Sequence, residues 1–242
     1  MTGKCLFRFF FLVLFISRSD DYSFLSQWCF VGKRRLEKAI RTFSAARPNV
    51  SFHVRYLPFF LDKNLPIEGK DKLEHYNAKF GAARVRQIIP HMQRVGALED
   101  PPIRFSYGGT IGNTIDSHRL IERAMDIGGE AMQDRLVEAL FSAYFENEKN
   151  PASCDVLAAA AAAAGMGRES EVRTFLKSGQ GRDDVLQKSE QLKRKYGITG
   201  VPHFIIGAQE EEMFMFSGAQ DSDMLVEMFE QVESRKEESS KM

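Results

Sequence analysis

The chain has 242 residues, 43% of them hydrophobic and 27% charged, with 33 Lys plus Arg balanced by 33 Asp plus Glu. That balance excludes a disordered or collagen-like polymer, and zero formal charge lacks the positive excess that draws a protein to nucleic acid. Three cysteines, Cys5, Cys29 and Cys154, are too few and too scattered for a disulfide scaffold or a four-thiolate zinc site, so no metal site is expected.

The first apolar run, residues 5–16, follows Lys4 and is interrupted by Arg8. It is too short for a stable membrane span. Two readings stay open. One is the apolar core of a signal peptide within residues 1–17, which implies the secretory pathway and an oxidising lumen. The other is a buried first strand, which implies a cytoplasmic, reducing setting; the cytoplasm is the expectation carried forward.

Residues 33–46 place Leu36, Ala39, Ile40 and Phe43 on one helical face, with Lys33, Arg34 and Arg35 expected on a solvated one. Pro48 and Asn49 end that helix. Val50, Phe52, Val54 and Tyr56 then alternate with Ser51, His53 and Arg55, the period of a half-buried strand. Pro58, Pro66 and Gly69 mark a loop. Two helices are predicted over residues 70–80 and 82–95, the second with Pro90 as a kink. Residues 103–106 read as a brief extended piece. A helix capped by Asn113 or Thr114 should end at Gly128-Gly129, with another over residues 130–146. Ser153 should cap a helix containing the alanine run 158–164, which is structural because alanine is the best helix former. Helices follow at 169–177 and 183–196. Short strands at 203–206 and 213–216 precede a final helix capped by Asp221, with Met224, Leu225, Met228, Phe229 and Val232 inward. Residues 234–242 read as a flexible tail. Strands at both ends and helices between them predict an α/β fold: a small mixed sheet carrying a helical insertion.

Several segments match one family. Trp28-Cys29-Phe30-Val31-Gly32-Lys33-Arg34-Arg35-Leu36-Glu37 resembles the active-site segment of DsbA-like thioredoxin-fold proteins of the FrnE type. Gly200-Val201-Pro202-His203-Phe204 resembles their cis-proline loop, and Phe216-Ser217-Gly218-Ala219-Gln220 the turn after their last strand. Asn113 with His118-Arg119-Leu120, and residues 136–145, resemble helices of their insertion. The resemblance covers residues 28–233. It implies a thioredoxin-like domain from residues 28–56 and 181–233, a helical insertion at 57–180, and a divergent leader or first strand at 1–27.

The resemblance also implies a chemistry. A cysteine at a helix N-terminus meets unpaired backbone N–H groups and the positive end of the macrodipole, both of which favour thiolate. Such a thiolate attacks a disulfide, and a second cysteine three residues on resolves the mixed disulfide. The family's Cys-Pro-Trp-Cys reads Ser26-Gln27-Trp28-Cys29 here. Cys29 stands in the resolving place and Ser26 where the attacking sulfur belongs. The hydroxyl of Ser26 does not ionise near neutral pH, so thiol–disulfide oxidoreduction is expected in a monothiol or impaired form. No cofactor is required for that; the partners would be protein thiols or disulfides, or glutathione.

Two rival functions follow from the same residues. Ser26 is similar to the serine of kappa-type glutathione transferases and chromene-carboxylate isomerases, which donates a hydrogen bond to the thiolate of bound glutathione. A non-catalytic protein could instead keep the peptide-binding cleft alone. The candidate site is therefore Cys29 and Ser26 for chemistry, with Trp28, Val201, Pro202, His203, His118 and Asn113 around the substrate. Simpler readings are an inert helix cysteine for Cys29, a surface or capped histidine for His118, a helix cap for Asn113 and a sheet-face residue for His203. All three functions require Pro202 to lie across from the start of the helix that bears Cys29.

Overall fold

The computed structural model describes residues 7–14, 27–60, 62–198, 200–207 and 213–239. The segment Phe7–Leu14, apolar but for Arg8, is a strand, β1. The strand that the apolar run allowed is present over these residues. Helix α1 (Gln27–Ala46) begins six residues before Lys33 because Cys29, Phe30 and Val31 extend its buried face. After the turn at Pro48 and Asn49, β2 (Val50–Leu57) lies parallel to β1, from Phe7 beside Val50 to Leu14 beside Leu57.

β5 (His203–Gly207) runs antiparallel along the other edge of β1, and β6 (Met213–Ser217) runs antiparallel to β5. The sheet order is β2-β1-β5-β6. Leu14 therefore stands beside His203 as well as Leu57. This register places the end of β1, the end of β2 and the start of β5 at one end of the sheet.

Successive side chains on β5 alternate between faces. Phe204 and Ile206 join Leu36, Ala39 and Phe43 of α1 and Leu225, Phe229 and Val232 of α8 (Ser222–Ser239) in the main core. Ile205 packs on the opposite face with Leu57, Phe59 and Ile198, under Leu192 of α7 (Arg182–Tyr196). Leu225, Phe229 and Val232 are inward as predicted, whereas Met224 is 45% exposed because it falls outside that three-residue stripe. Helix α8 continues through Ser239, past Ser234, where the sequence reading ended it.

Between β2 and α7 lie α2 (Lys72–Phe80), α3 (Ala82–Leu98), α4 (Ile115–Phe141), a π-helical turn (Ser142–Glu146), α5 (Cys154–Ala163) and α6 (Glu169–Ser178). Two short strands, β3 (Lys70–Asp71) and β4 (Thr110–Ile111), pair antiparallel; two residues each is too short for a periodic signal. The predicted extended piece at residues 103–106 is irregular chain rather than strand. Pro90 sits inside α3, as expected. The predicted stop at Gly128-Gly129 is present: Gly129, at φ 66° and ψ −163°, is non-helical, and α4 is two helical stretches joined across this kink. Ser153 accepts a hydrogen bond from the Val156 N–H and caps α5.

The helical insertion reaches back over the start of α1. Phe30 packs against Phe141, Phe145 and Phe105, with ring centroids 5.1, 6.1 and 6.4 Å away. No described helix is long and apolar enough to cross a membrane.

Candidate active site

The first turns of α1 face the loop before β5. The Val201–Pro202 bond is cis, as the Gly-Val-Pro-His-Phe match implied. A methyl group added to Gly32 would meet Pro202 Cγ at 2.9 Å and Phe204 Cζ at 3.1 Å. Glycine is therefore what lets the helix and the proline loop come this close, one turn below Cys29. The Pro202 carbonyl accepts a 2.7 Å hydrogen bond from Gly218 N–H, tying the turn after β6 to the same place. Arg35 donates to the Ala219 carbonyl at 2.9 Å and pairs with Asp221 and Glu99, so α1 holds that turn as well.

Cys29 is 1% exposed and belongs to the main core. Cys29 is the third residue of α1 and so lies in its first turn. Trp28 is half-buried, its ring centroid 6.4 Å from that of His91 on α3. Gln27, in the family's proline position, is buried and donates to Tyr107 Oη at 2.7 Å. Its Oε1 is buried and finds no hydrogen-bond partner among the described residues. Ser26 lies outside the described residues, as does Thr199 of the predicted approach to the proline loop.

The remaining candidates divide. His203 follows Pro202 directly and is buried, but the strand pleat turns it away from α1, onto the face of Ile205. Its Nδ1 lies 2.8 Å from Ser217 Oγ, and burial lowers its pKa. His118 is buried behind Phe60, ring centroids 4.8 Å apart. Burial pulls its pKa down to about 4, against a weaker opposing effect from a hydrogen bond to the Phe59 backbone. Asn113 is spent on the fold. Its amide donates to the Lys63 and Leu65 carbonyls at 2.9 and 3.1 Å, and its Oδ1 accepts from Ile115 N–H at the start of α4. The structure thus brings α1 and Pro202 together, and does not bring Asn113 or the ring of His203 into the space between them.

Lys33 and Arg34 are corrections to the sequence reading. Neither is solvated. Lys33 is 1% exposed and pairs with Glu37, and with Asp134 and Glu138 at 3.1 Å each. Burial opposes its charge, but the three carboxylates outweigh it and hold its pKa above the ordinary lysine value. Arg34 grips Glu138 with both terminal nitrogens. Burial would raise the Glu138 pKa, yet Arg34 and Lys33 hold it below the usual carboxylate range. The insertion is therefore locked by charge onto the helix that carries Cys29. The only sequence hint was the spacing of Lys33 and Glu37, one helical turn apart; Asp134 and Glu138 lie about a hundred residues away. Among the described residues no cluster of His, Cys, Asp or Glu is arranged to hold a metal ion.

Three comparisons bear on this arrangement. No curated protein matches the chain. Among solved structures, the chain is similar to a probable DsbA oxidoreductase from Streptomyces coelicolor, at 24% identity and a TM-score of 0.75, over 94% of this chain and 90% of that one. It is also similar to the cytosolic disulfide reductase DsbM from Pseudomonas aeruginosa with GSH, at 15% identity and a TM-score of 0.55, over 96% and 100% of the two chains. A 2-hydroxychromene-2-carboxylate isomerase shares 17% identity and a TM-score of 0.59 over 96% and 97%. These likenesses establish the fold. The family model for the DSBA-like thioredoxin domain matches residues 22–230, so it takes in Ser26 and begins upstream of Trp28. Strands, kinked insertion and a proline loop set against the first turns of α1 agree with that match, and the chain belongs to the DSBA-like thioredoxin domain family.

Proposed function

We propose that the protein is a monothiol member of this family of thiol–disulfide oxidoreductases, with Cys29 as its reacting sulfur and the Val201–Pro202 loop as the docking edge for substrate. One observation carries this reading: the contact of Gly32 with Pro202, which sets the helix bearing Cys29 against that loop. In the proposed step, Cys29 thiolate attacks one sulfur of a substrate disulfide. A Cys29–substrate disulfide forms and the other substrate sulfur leaves as thiolate. Glutathione thiolate then attacks the substrate sulfur of that mixed disulfide: Cys29 leaves as thiolate and the substrate is joined to glutathione. A second glutathione thiolate attacks the glutathione sulfur of that bond, releasing the substrate thiolate and forming oxidised glutathione. Because Cys29 is buried, exchange is slow and depends on substrate docking. The test is reduction of insulin by glutathione. Wild-type protein should accelerate it, and Cys29→Ala should not; acceleration unchanged in Cys29→Ala removes this sulfur from the chemistry.

The burial of Cys29 favours a second reading, in which glutathione is bound and Ser26 donates a hydrogen bond to its thiolate for transfer or isomerisation. Glutathione affinity separates the two. A loss in Ser26→Ala with Cys29→Ala unaffected supports the second reading, and the converse supports the first.

A further inference from the structure

A second concave site lies away from the proline loop, on the face of β2 between α1 and the second half of α4. Its floor is apolar: Ile40 of α1 and Phe52 and Val54 of β2 are only half-buried there, beside the fully buried Leu36. Its volume is about 410 Å³, within the ~300–1,000 Å³ of small-molecule sites. Ile40 lies eleven residues beyond Cys29, about 16 Å along the helix at its usual rise.

The rim is acidic. Glu37, Glu130 and Asp134 line it, and Glu138 stands behind them. These four carboxylates meet two cations, Lys33 and Arg34; Arg41, also at the rim, is matched outward by Asp100 at 3.1 Å. Four less two leaves two negative charges in excess; His53 Nδ1 lies 3.1 Å from Glu130, and Tyr56 Oη donates to Asp134 at 2.6 Å. Half-exposed apolar side chains under an anionic rim suit a ligand with an apolar body and a cationic end. We infer that this groove binds a small hydrophobic cation, an aryl or alkyl ammonium, seated on Ile40, Phe52 and Val54 with its charge toward Glu130 and Asp134.

The probe is 4-phenylbutylammonium, titrated into the full chain by calorimetry, with 4-phenylbutyrate as its charge-reversed control. The cation should bind saturably and the anion should not. Ile40→Arg places a fixed cation over the floor and should weaken binding at least about tenfold, roughly 1.4 kcal/mol. Glu130→Gln lies on the rim, outside the buried Lys33 network, and should weaken it by a smaller factor. Should Ile40→Arg fail to fold, Glu130→Gln alone decides. No saturable binding, equal binding of cation and anion, or affinity unchanged in the folded variants would overturn the inference.

Discussion

At the scale of single residues, the site depends on what is missing from Gly32. A side chain there would strike Pro202 and Phe204, and neither has room to retreat: Phe204 is fully buried. Gly32→Ala should therefore lower stability by about 1–3 kcal/mol, the usual cost of overpacking. It should also lower insulin reduction more than a surface glycine-to-alanine change of equal stability cost. His118 gives a pH signature. Its pKa falls from the ordinary 6.5 to about 4 on burial. The unfolded chain binds this proton more readily, so its contribution is complete above pH 6.5 and is lost as pH falls toward 4. The loss is at most about 3 kcal/mol. Urea midpoints measured from pH 7 to 4 should fall less steeply in His118→Phe than in wild type. Lys33 follows different physics. Lys33→Met leaves Glu37, Asp134 and Glu138 facing one another without their shared cation, at a cost of about 3–5 kcal/mol. A urea midpoint close to wild type would remove the buried ion network from the account. Of these three residues, His118 was visible in sequence as a candidate. Gly32 and Lys33 were visible only as members of a motif. The close approach at Gly32 and the burial of Lys33 depend on chain segments more than a hundred residues away, which local periodicity does not report.

At the scale of elements, most of the chain was legible because its helices carry their own punctuation. Ser153 caps α5, Gly179 and Gly197 close α6 and α7 in left-handed conformations, and the apolar stripe of α1 points inward where its spacing put it. Gly129 breaks the helical backbone where the glycine pair predicts a stop, and Ala124 before it and Leu136 and Val137 after it pack into one core. Its backbone lies where only glycine is at ease, and a methyl group there would touch nothing within 4 Å. Gly129→Ala should thus cost about 1–3 kcal/mol through backbone conformation alone. The check is thermal unfolding against Gly128→Ala, whose added methyl group meets the Met132 side chain instead. A Gly129→Ala protein as stable as wild type would mean that the kink relaxes into continuous helix.

At the scale of the whole molecule, the sheet gives a central place to a segment that does not resemble the family. β1 has β2 on one edge and β5 on the other, and its register brings the end of β2 and the start of β5 to the same level. Removing residues 1–14 would leave β2 and the β5–β6 pair with no strand between them. That truncation should lose cooperative unfolding altogether, read by circular dichroism during urea titration; a cooperative transition would show that β1 is dispensable. Composition alone could not choose between strand and leader for this run, since both are short and apolar. The strand follows from pairing on both edges, which is a property of the assembled sheet. The mixed α/β order and the proline loop were legible from the sequence, whereas the charge lock between the insertion and α1 was not.

The most direct test of the proposed chemistry is to incubate the full chain with oxidised glutathione and map the modified peptide by mass spectrometry. One glutathionyl group should attach to Cys29, with one equivalent of glutathione released, and Val201→Arg should slow the reaction by crowding the docking edge. Modification confined to the half-buried Cys154, with Cys29 untouched, would contradict the account.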